Sequence, residues 1–512
     1  MSKKIVALVI AAALTLGVAS GAWAIDFKIK GMWQYSFTEA QLNHVDKIGG
    51  KKADANDKFD ARQRLRIQLD AIASESLSGS VQFELGMQPW GKNATGSSLG
   101  ADGNNVVKLR QAYLDWILPR TDLKIRMGIQ TMNLPKAAGG GVVMDNADTA
   151  AIVASYTFNP TVGLTAFWAR PFNDNYEGYD STGKLVGSPN YHDNMDLFGL
   201  TMPLRLKNAL LTPWVMYGMR GANTFTYDSS GKNVKLWKDG MPQYTLSSNP
   251  FKGYNLAAKT DKAYGNLFWA GVPMVLSYFD PLRIELDVNY GYVEEMGRYN
   301  ITSRKSQVER ASTKREGWLA KALVEYALDW GFPGVFGWSG SGDDGNLKNG
   351  SERMPSVDPW AKFTSFAGGA TLFPTGACDI NSNYAGSWGV GAQLRDLSFV
   401  ENLKHTLRVA YTRGTNSTTM VKYATSRDAW NYGVSSNPNK AGMYLTTADS
   451  IVEFTVDSYL KVYDNLTLGL ELGYMVNGMD PDTWQKDSRT YLGPSMSKQD
   501  LWRASVYVGY SF

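Results

Sequence analysis

Residues 501–512 read LWRASVYVGYSF, a stretch in which apolar and polar side chains alternate. In a β-strand every second side chain lies on the same face. One face would carry Trp502, Ala504, Val506, Val508, Tyr510 and Phe512, and the other Arg503, Ser505, Tyr507, Gly509 and Ser511. The pattern predicts a strand with lipid on one face and water on the other.

The same two-residue period recurs along the chain in segments of roughly 9–11 residues, the length that a tilted strand needs to cross a bilayer. The clearest copies lie at 27–37, 62–71, 282–292 and 466–474, and weaker copies lie between them. Membrane strands of this kind occur in closed barrels, because lipid cannot satisfy a free strand edge. We therefore predict an all-β, transmembrane antiparallel β-barrel with long external loops.

Connection lengths set the expected number of strands. Short and long connections alternate along the chain, as in outer-membrane barrels, with one break after residue 328. The sequence GFPG at 331–334 can turn the chain, so that 335–339 forms one more strand and 341–385 one more long loop. This count gives about eighteen strands, and sixteen if two weak segments are loops.

The two ends of the chain suggest export and assembly. MSKK is followed by an apolar run at 5–19 and by Ala22-Trp23-Ala24, which predicts a signal peptide at 1–24 and a barrel domain at 25–512. At the other end, Val508, Tyr510 and Phe512 are expected to close the barrel against the first strand. They also resemble the C-terminal signal by which assembly machinery recognises outer-membrane proteins.

Composition disfavours several classes of function. The 52 basic and 48 acidic residues give a net charge of +4, which offers no support for nucleic-acid binding. Cys378 is the single cysteine, so neither a disulfide nor a cysteine metal cluster is expected within the chain. The three histidines lie in unrelated segments, and we predict no catalytic residue, no metal and no cofactor. A hydrolase site built on one histidine is the remaining enzyme alternative.

The inward faces of the predicted strands provide candidate pore-lining residues. Arg62, Arg64 and Arg66 share one strand face, where three like charges repel unless water screens them. Lys124 and Arg126 have the inward parity of the fifth strand and extend this basic patch. Further lumen-facing candidates are Glu84, Asp115, Arg283, Glu285, Asp287 and Glu471. The mixed signs leave ion selectivity open, and an exposed face of a soluble sheet is the alternative for the arginines.

The long connection at 131–150 is the candidate constriction. It is rich in glycine and carries Asp145 and Asp148, which would oppose the basic patch if the connection folded into the lumen. A positive wall facing acidic groups would set a transverse field across the pore. An ordinary external loop is the alternative.

Several stretches resemble bacterial outer-membrane porins, in particular the homotrimeric porins of sulfate-reducing bacteria. They are IDFKIKGMWQYSF, FDARQRLRIQLD, RQAYLDWILP, WGFPGVFGWSGSGDDGN and the closing VYVGYSF, and the likeness spans essentially the whole mature chain. The fourth stretch is also similar to the eighteen-stranded substrate-specific porins. The connection at 131–150 resembles the constriction loop of general porins in position, but lacks a PEFGG-like element.

The resemblance implies a homotrimer in the outer membrane of a Gram-negative bacterium, surrounded by outer-membrane lipid. Each barrel would let ions and small hydrophilic solutes diffuse passively. Two other functions are kept as alternatives: a substrate-selective outer-membrane channel, and a soluble periplasmic β-rich binding protein.

Overall fold

A computed structural model describes most of the chain. The described residues are 25–48, 51–52, 57–91, 107–173, 178–179, 185–186, 194–221, 262–303, 305, 307–369, 371–372, 384–423, 443–487 and 497–512. The expected signal segment 1–24 and Cys378 lie outside the described residues.

One large antiparallel sheet forms the wall of the molecule. Its strands are β1 (Asp26–Gln41), β2 (Asp57–Ser74), β3 (Leu77–Pro89), β4 (Lys108–Ile117), β5 (Lys124–Met132), β6 (Ala147–Thr157), β7 (Gly163–Asn173), β8 (Asn194–Thr201 and Leu204–Leu206), β9 (Ala209–Leu211 and Trp214–Gly221), β10 (Tyr264–Phe279), β11 (Leu282–Val293), β12 (Arg315–Tyr326), β13 (Phe332–Gly340), β14 (Ser387–Val400), β15 (Leu403–Gly414), β16 (Ser450–Tyr463), β17 (Leu466–Gly478) and β18 (Leu501–Ser511).

The sheet contains 20 strand segments, and β8 and β9 each consist of two, so the wall of the described chain has eighteen strands. Each strand pairs with its neighbours along the chain. The predicted barrel is confirmed at the favoured number of eighteen. The extra strand expected at 335–339 is also confirmed, within β13, and a long connection follows it.

The wall closes because β1 pairs with both β2 and β18. Trp33 lies opposite Tyr510, and the amide of Gly31 donates to the carbonyl of Phe512 at 2.8 Å. The rings of Trp33 and Phe512 lie 5.7 Å apart between centroids, at the end of the barrel where the connections are short. The expected closure of the wall by the final strand is thus observed.

Shorter elements belong to the connections. Paired short strands occur at Val45–Ile48, Lys51–Lys52 and Ser497–Lys498, at Gly178–Tyr179 and Leu185–Val186, at Arg298–Thr302 and Val308–Ser312, and at Gly140–Gly141 and Trp360–Ala361. A 3-10 helix covers Thr418–Tyr423 and an α-helix Pro481–Asp487. Among the described residues, every helix is too short or too polar to cross a membrane.

The two faces of the wall differ as the alternation predicts. On β17, Leu470 points outward and exposes 41% of its surface, whereas its neighbour Glu471 points inward and exposes 4%. The outer face therefore presents a continuous apolar surface, which water solvates poorly and lipid solvates well.

The inner face of β7 to β13 departs from the expected polar lumen. Many of its inward side chains are large and apolar, and these pack in one buried cluster with residues of two long connections. Members of this cluster on the wall are Phe167, Leu197, Trp214, Met216, Leu267, Trp269, Leu319, Phe336 and Trp338. The two-residue period is weak in several of these strands because both of their faces are apolar.

Candidate channel interior

The inner face of β2 carries the three predicted arginines, and each has a different polar partner. Arg66 Nε lies 2.6 Å from Glu84 Oε2 on β3, and Arg62 Nε lies 2.5 Å from Asp60 Oδ2. Arg64 donates from Nε to Gln34 Oε1 on β1 at 2.9 Å. Because each guanidinium has an oxygen acceptor, on β1 for Arg64, on β3 for Arg66 and on β2 itself for Arg62, the like charges can stay close together.

The next two strands continue the polar wall. Arg126 on β5 donates to both carboxylate oxygens of Asp115 on β4, at 2.7 and 2.6 Å. Its guanidinium also lies over the ring of Tyr113, 4.1 Å from the centroid. Lys124 lies 4.0 Å from the same Asp115 carboxylate, nearer the short-connection end. These predicted residues therefore form one cluster on the inner wall.

Arg110 belongs to the same wall, although alternation along β4 does not predict it. Gln82 of β3 pairs with Gln111 and Phe83 pairs with Leu109, so Arg110 is the extra residue of a β-bulge. Its Nε lies 2.5 Å from Asp148 Oδ2 on β6. A bulge redirects a side chain and shifts the alternation of the residues that follow. Counting every second residue along β4 therefore does not identify Arg110 as inward-facing.

The two predicted acidic residues of the 131–150 connection lie in different surroundings. Asp148 begins the wall on β6, accepts from Thr131 Oγ1 at 2.5 Å and pairs with Arg110. Asp145 is buried within the connection, where it bonds Lys136 Nζ and accepts from the amide of Gly141 at 3.0 Å. Only Asp148 adjoins the basic wall.

The part of this connection between β5 and β6, residues 133–146, is here named the first inner segment. The amide of Ala138 donates to Glu285 Oε2 on β11 at 2.6 Å, and Lys321 on β12 donates to the carbonyl of Ala137 at 2.9 Å. In the order of the ring, β11 and β12 lie far from β5 and β6 on either side. The first inner segment, which joins β5 to β6, therefore contacts β11 and β12 through the interior of the barrel.

Residues 353–369, between β13 and β14, form a second inner segment. It pairs with the first through Gly140–Gly141 and Trp360–Ala361, and the amide of Val357 donates to the carbonyl of Val143 at 2.7 Å. Glu453 on β16 accepts from the amides of Phe366 and Ala367 at 3.1 and 2.9 Å. The two segments therefore form one hydrogen-bonded unit inside the barrel.

The remaining predicted lumen-facing residues lie under or beside these segments. Glu471 on β17 is buried and bonds Arg503 of β18 at 3.1 Å. Arg283 lies 2.8 Å from Glu285 Oε1 near the short-connection end. Asp287 is buried beneath the first inner segment, 3.1 Å from Lys321. The pairs of Asp287 and Glu471 are shielded from solvent, whereas the ion pairs on β2 to β6 and the Arg283–Glu285 pair keep partial contact with it.

Within the residues that the structure describes, no three His, Cys, Asp or Glu side chains are grouped so as to hold a metal ion.

Solved structures of similar fold are known, although sequence comparisons find no relative. No protein-family model and no curated protein matches the chain. Among solved structures, Pseudomonas aeruginosa OpdK with vanillate shares 10% sequence identity, with 95% of this chain and 98% of that chain covered and a TM-score of 0.50. OccK1 (OpdK) and OccK8 (OprE) of the same organism share 9% and 10% identity at TM-scores of 0.49 and 0.48, again covering 95% of this chain and 98% of theirs. At this identity the likeness concerns the fold, an eighteen-stranded barrel.

Proposed function

We propose that the protein is an outer-membrane porin, a non-enzymatic channel through which ions and small hydrophilic solutes diffuse passively. The proposal depends on the coexistence of an apolar outer face and a charged, solvent-contacting inner wall on β2 to β5. Lipid suits the first surface, and only water or a polar solute suits the second.

The path for solutes follows this charged wall. The apolar cluster fills the side of the interior that β7 to β13 enclose, and the inner segments cover the carboxylates of β11, β16 and β17. The side where Arg66, Arg110 and Arg126 lie carries ion pairs in contact with solvent, and the proposed path runs along it. Since each of these cations has a carboxylate partner, a passing ion would be bound weakly enough to leave again, as conduction requires.

Location and assembly follow from the same proposal. The signal peptide would be removed after Ala24, and the barrel would insert into the outer membrane of a Gram-negative bacterium. Val508, Tyr510 and Phe512 would be read by the assembly machinery. A homotrimer is proposed from the resemblance to the porins of sulfate-reducing bacteria, and the apolar outer face is compatible with both lipid and subunit contacts.

Planar bilayer recording tests the channel. The purified protein should produce stepwise conductance increments, and a salt gradient across the bilayer should give a reversal potential that reports the sign of the ion preference. Fractionation of the cells provides the second test. Recovery of the folded protein in the soluble fraction without detergent would favour the periplasmic binding protein instead.

A substrate-selective channel is the second candidate. It is favoured by the two inner segments, which leave one side of the interior to solutes, and by the fold shared with OpdK, which was solved with vanillate. A selective pore should be blocked by micromolar concentrations of its solute, whereas a general pore should keep its current. Titration of small organic anions, cations and sugars during recording distinguishes the two.

A further inference from the structure

Lys321 on β12 is a charged residue in the interior without contact with water. Its side chain exposes 0% of its surface and that of its partner Asp287 exposes 1%, with 3.1 Å between Nζ and Oδ2. The same ammonium donates to the carbonyl oxygens of Ala137, at 2.9 Å, and Gly140. Its three N–H donors therefore meet three acceptors, two of which belong to the first inner segment.

The wall around Lys321 also binds the amides of that segment. The amide of Ala138 donates to Glu285 Oε2 at 2.6 Å, and the amide of Ala137 lies 3.5 Å from Asp287 Oδ2. Thus β11 and β12 supply one cation to the carbonyls of a turn and two carboxylates to its amides. A segment that crosses the lumen finds few hydrogen-bond partners for its backbone N–H and C=O groups. The contacts with β11 and β12 therefore determine the position of the turn.

The conformation of the turn requires such support. Ala138, Gly139 and Gly140 have φ of 47°, 81° and 106°, all in the left-handed region. An alanine in this region is strained, and the strain persists only where surrounding contacts enforce it. The ring of Phe363 from the second inner segment lies against Gly139, where an added Cβ would come within 2.7 Å of it.

Packing alone gives no reason for a lysine at position 321. The inward residues before and after it on β12, Leu319 and Leu323, pack with the apolar cluster. A buried ammonium is costly unless it is paired and fully hydrogen-bonded, and apolar residues of similar volume often stabilise such a position better. The contacts that distinguish Lys321 from a leucine are those with Asp287 and with the turn.

We propose that Lys321 is the positioning residue that holds the first inner segment across the lumen and thereby sets the cross-section open to solutes. The inference rests on the proposed porin function. The second inner segment is held by the same contact, because Gly140 pairs with Ala361. Glu453 fixes the other side of the unit, where it binds the amides of Phe366 and Ala367.

Single-channel recording of Lys321→Met tests the proposal. Methionine keeps the volume of the side chain but removes all three donors, so the segment loses its hold on β12 and the conductance should rise by about twofold as the lumen widens. Lys321→Arg retains donors and should stay near the wild-type conductance. Lys207→Met, in an exposed turn between β8 and β9, is the matched control and should leave the conductance unchanged.

The outcomes separate the two proposals. A wild-type protein that folds but gives no conductance overturns the porin function. A conducting wild type together with a folded Lys321→Met variant of the same conductance overturns the role of Lys321 alone. Folding of each variant is verified by the shift in gel mobility between heated and unheated samples, which reports an intact barrel.

A chemical measurement covers the case in which Lys321→Met does not assemble. Ala137→Cys, placed in a Cys378→Ser background, puts a thiol at a buried position of the turn. In Lys321→Gln, which keeps a polar side chain, a water-soluble thiol reagent should label this cysteine at least about tenfold faster than beside Lys321, as expected when a buried segment opens more often. Equal labelling rates would show that Lys321 does not hold the segment.

Discussion

Arg110 on β4 and Asp148 on β6 form an ion pair across the intervening strand β5, with 2.5 Å between Nε and Oδ2. Thr131 of β5 lies between them and donates to the other oxygen of Asp148. Both side chains keep some contact with solvent, at 13% and 27% exposure. The pair therefore contributes to the local field that a passing ion meets.

Removing the cation of this pair should change ion preference. Arg110→Gln leaves Asp148 without its cation, and one unit charge about 4 Å from an ion in water is worth roughly 1 kcal/mol. The ratio of cation to anion permeability should therefore rise by up to about fivefold. Reversal potentials under a salt gradient measure the ratio, with Arg205→Gln near an exposed turn as the control. An unchanged ratio would place the ion path elsewhere.

Placing a charge on the outer face should destabilise the barrel in lipid. Leu470 points outward near the middle of β17, and an arginine at the lipid face of a barrel costs about 2–4 kcal/mol at the bilayer midplane. Leu470→Arg should unfold at lower urea concentration in bilayers than the wild type. Thr467→Arg, on the inner face of the same strand, should lose less stability. Equal losses would contradict the assignment of the faces.

Closure of the barrel depends on a close approach at Gly31. A Cβ at this position would lie 2.6 Å from the carbonyl oxygen of Arg66 and 2.6 Å from Cζ of Phe512. Gly31→Val should therefore cost about 1–3 kcal/mol of stability by overpacking. The temperature at which the folded gel band disappears measures the loss. Gly79→Val is the control, because its Cβ would meet only the carbonyl of Tyr113 at 3.8 Å.

The connection after β13 should respond to pH through Glu352. Burial and the neighbouring Asp343 and Asp344 carboxylates raise the pKa of Glu352 from its ordinary value of 4.5 to about 7. A carboxyl whose folded pKa is raised binds its proton more tightly in the folded state. Ionisation therefore destabilises the fold progressively as the pH rises from 4.5 to 7, and fully above 7.

Glu352→Gln should remove this dependence. The variant and the wild type should be about equally stable at pH 4, and the variant should be the more stable of the two at pH 8. Proteolysis of the connection at the two pH values provides the measurement. Asp329→Asn, in the short connection between β12 and β13, serves as the control. A variant that is no more resistant than the wild type at pH 8 would contradict the assigned shift.

The strands of the barrel could be predicted because one face of each strand contacts lipid and the other contacts water. Apolar and polar residues therefore alternate with a period of two. β17 and β18 show this period clearly, and the GFPG turn before 335 completed the count. The closing role of β18 followed from the need to satisfy its edge. These inferences require only local pattern and the chemistry of the backbone.

The interior could be predicted only in part. Parity predicts the arginines of β2, whereas the bulge removes Arg110 from the alternating pattern. Trp214 and Trp269 point inward against loop residues, and a residue pattern cannot reveal which loop covers which wall. The local pattern cannot predict the role of Lys321 for the same reason, since its acceptors are backbone carbonyls some 180 residues away. Such contacts are set by tertiary structure and leave no local signal.

The seam between β1 and β18 has a consequence for biogenesis. Gln34 and Tyr507 touch although 473 residues separate them, so β1 cannot complete its pairing until β18 has been made. Until then one edge of β1 is unpaired and could pair with a wrong strand. Pairing of β1 with β18 is expected to be slow because the two strands are so distant in sequence. The unpaired edge of β1 exposes the unfinished barrel to aggregation during this interval.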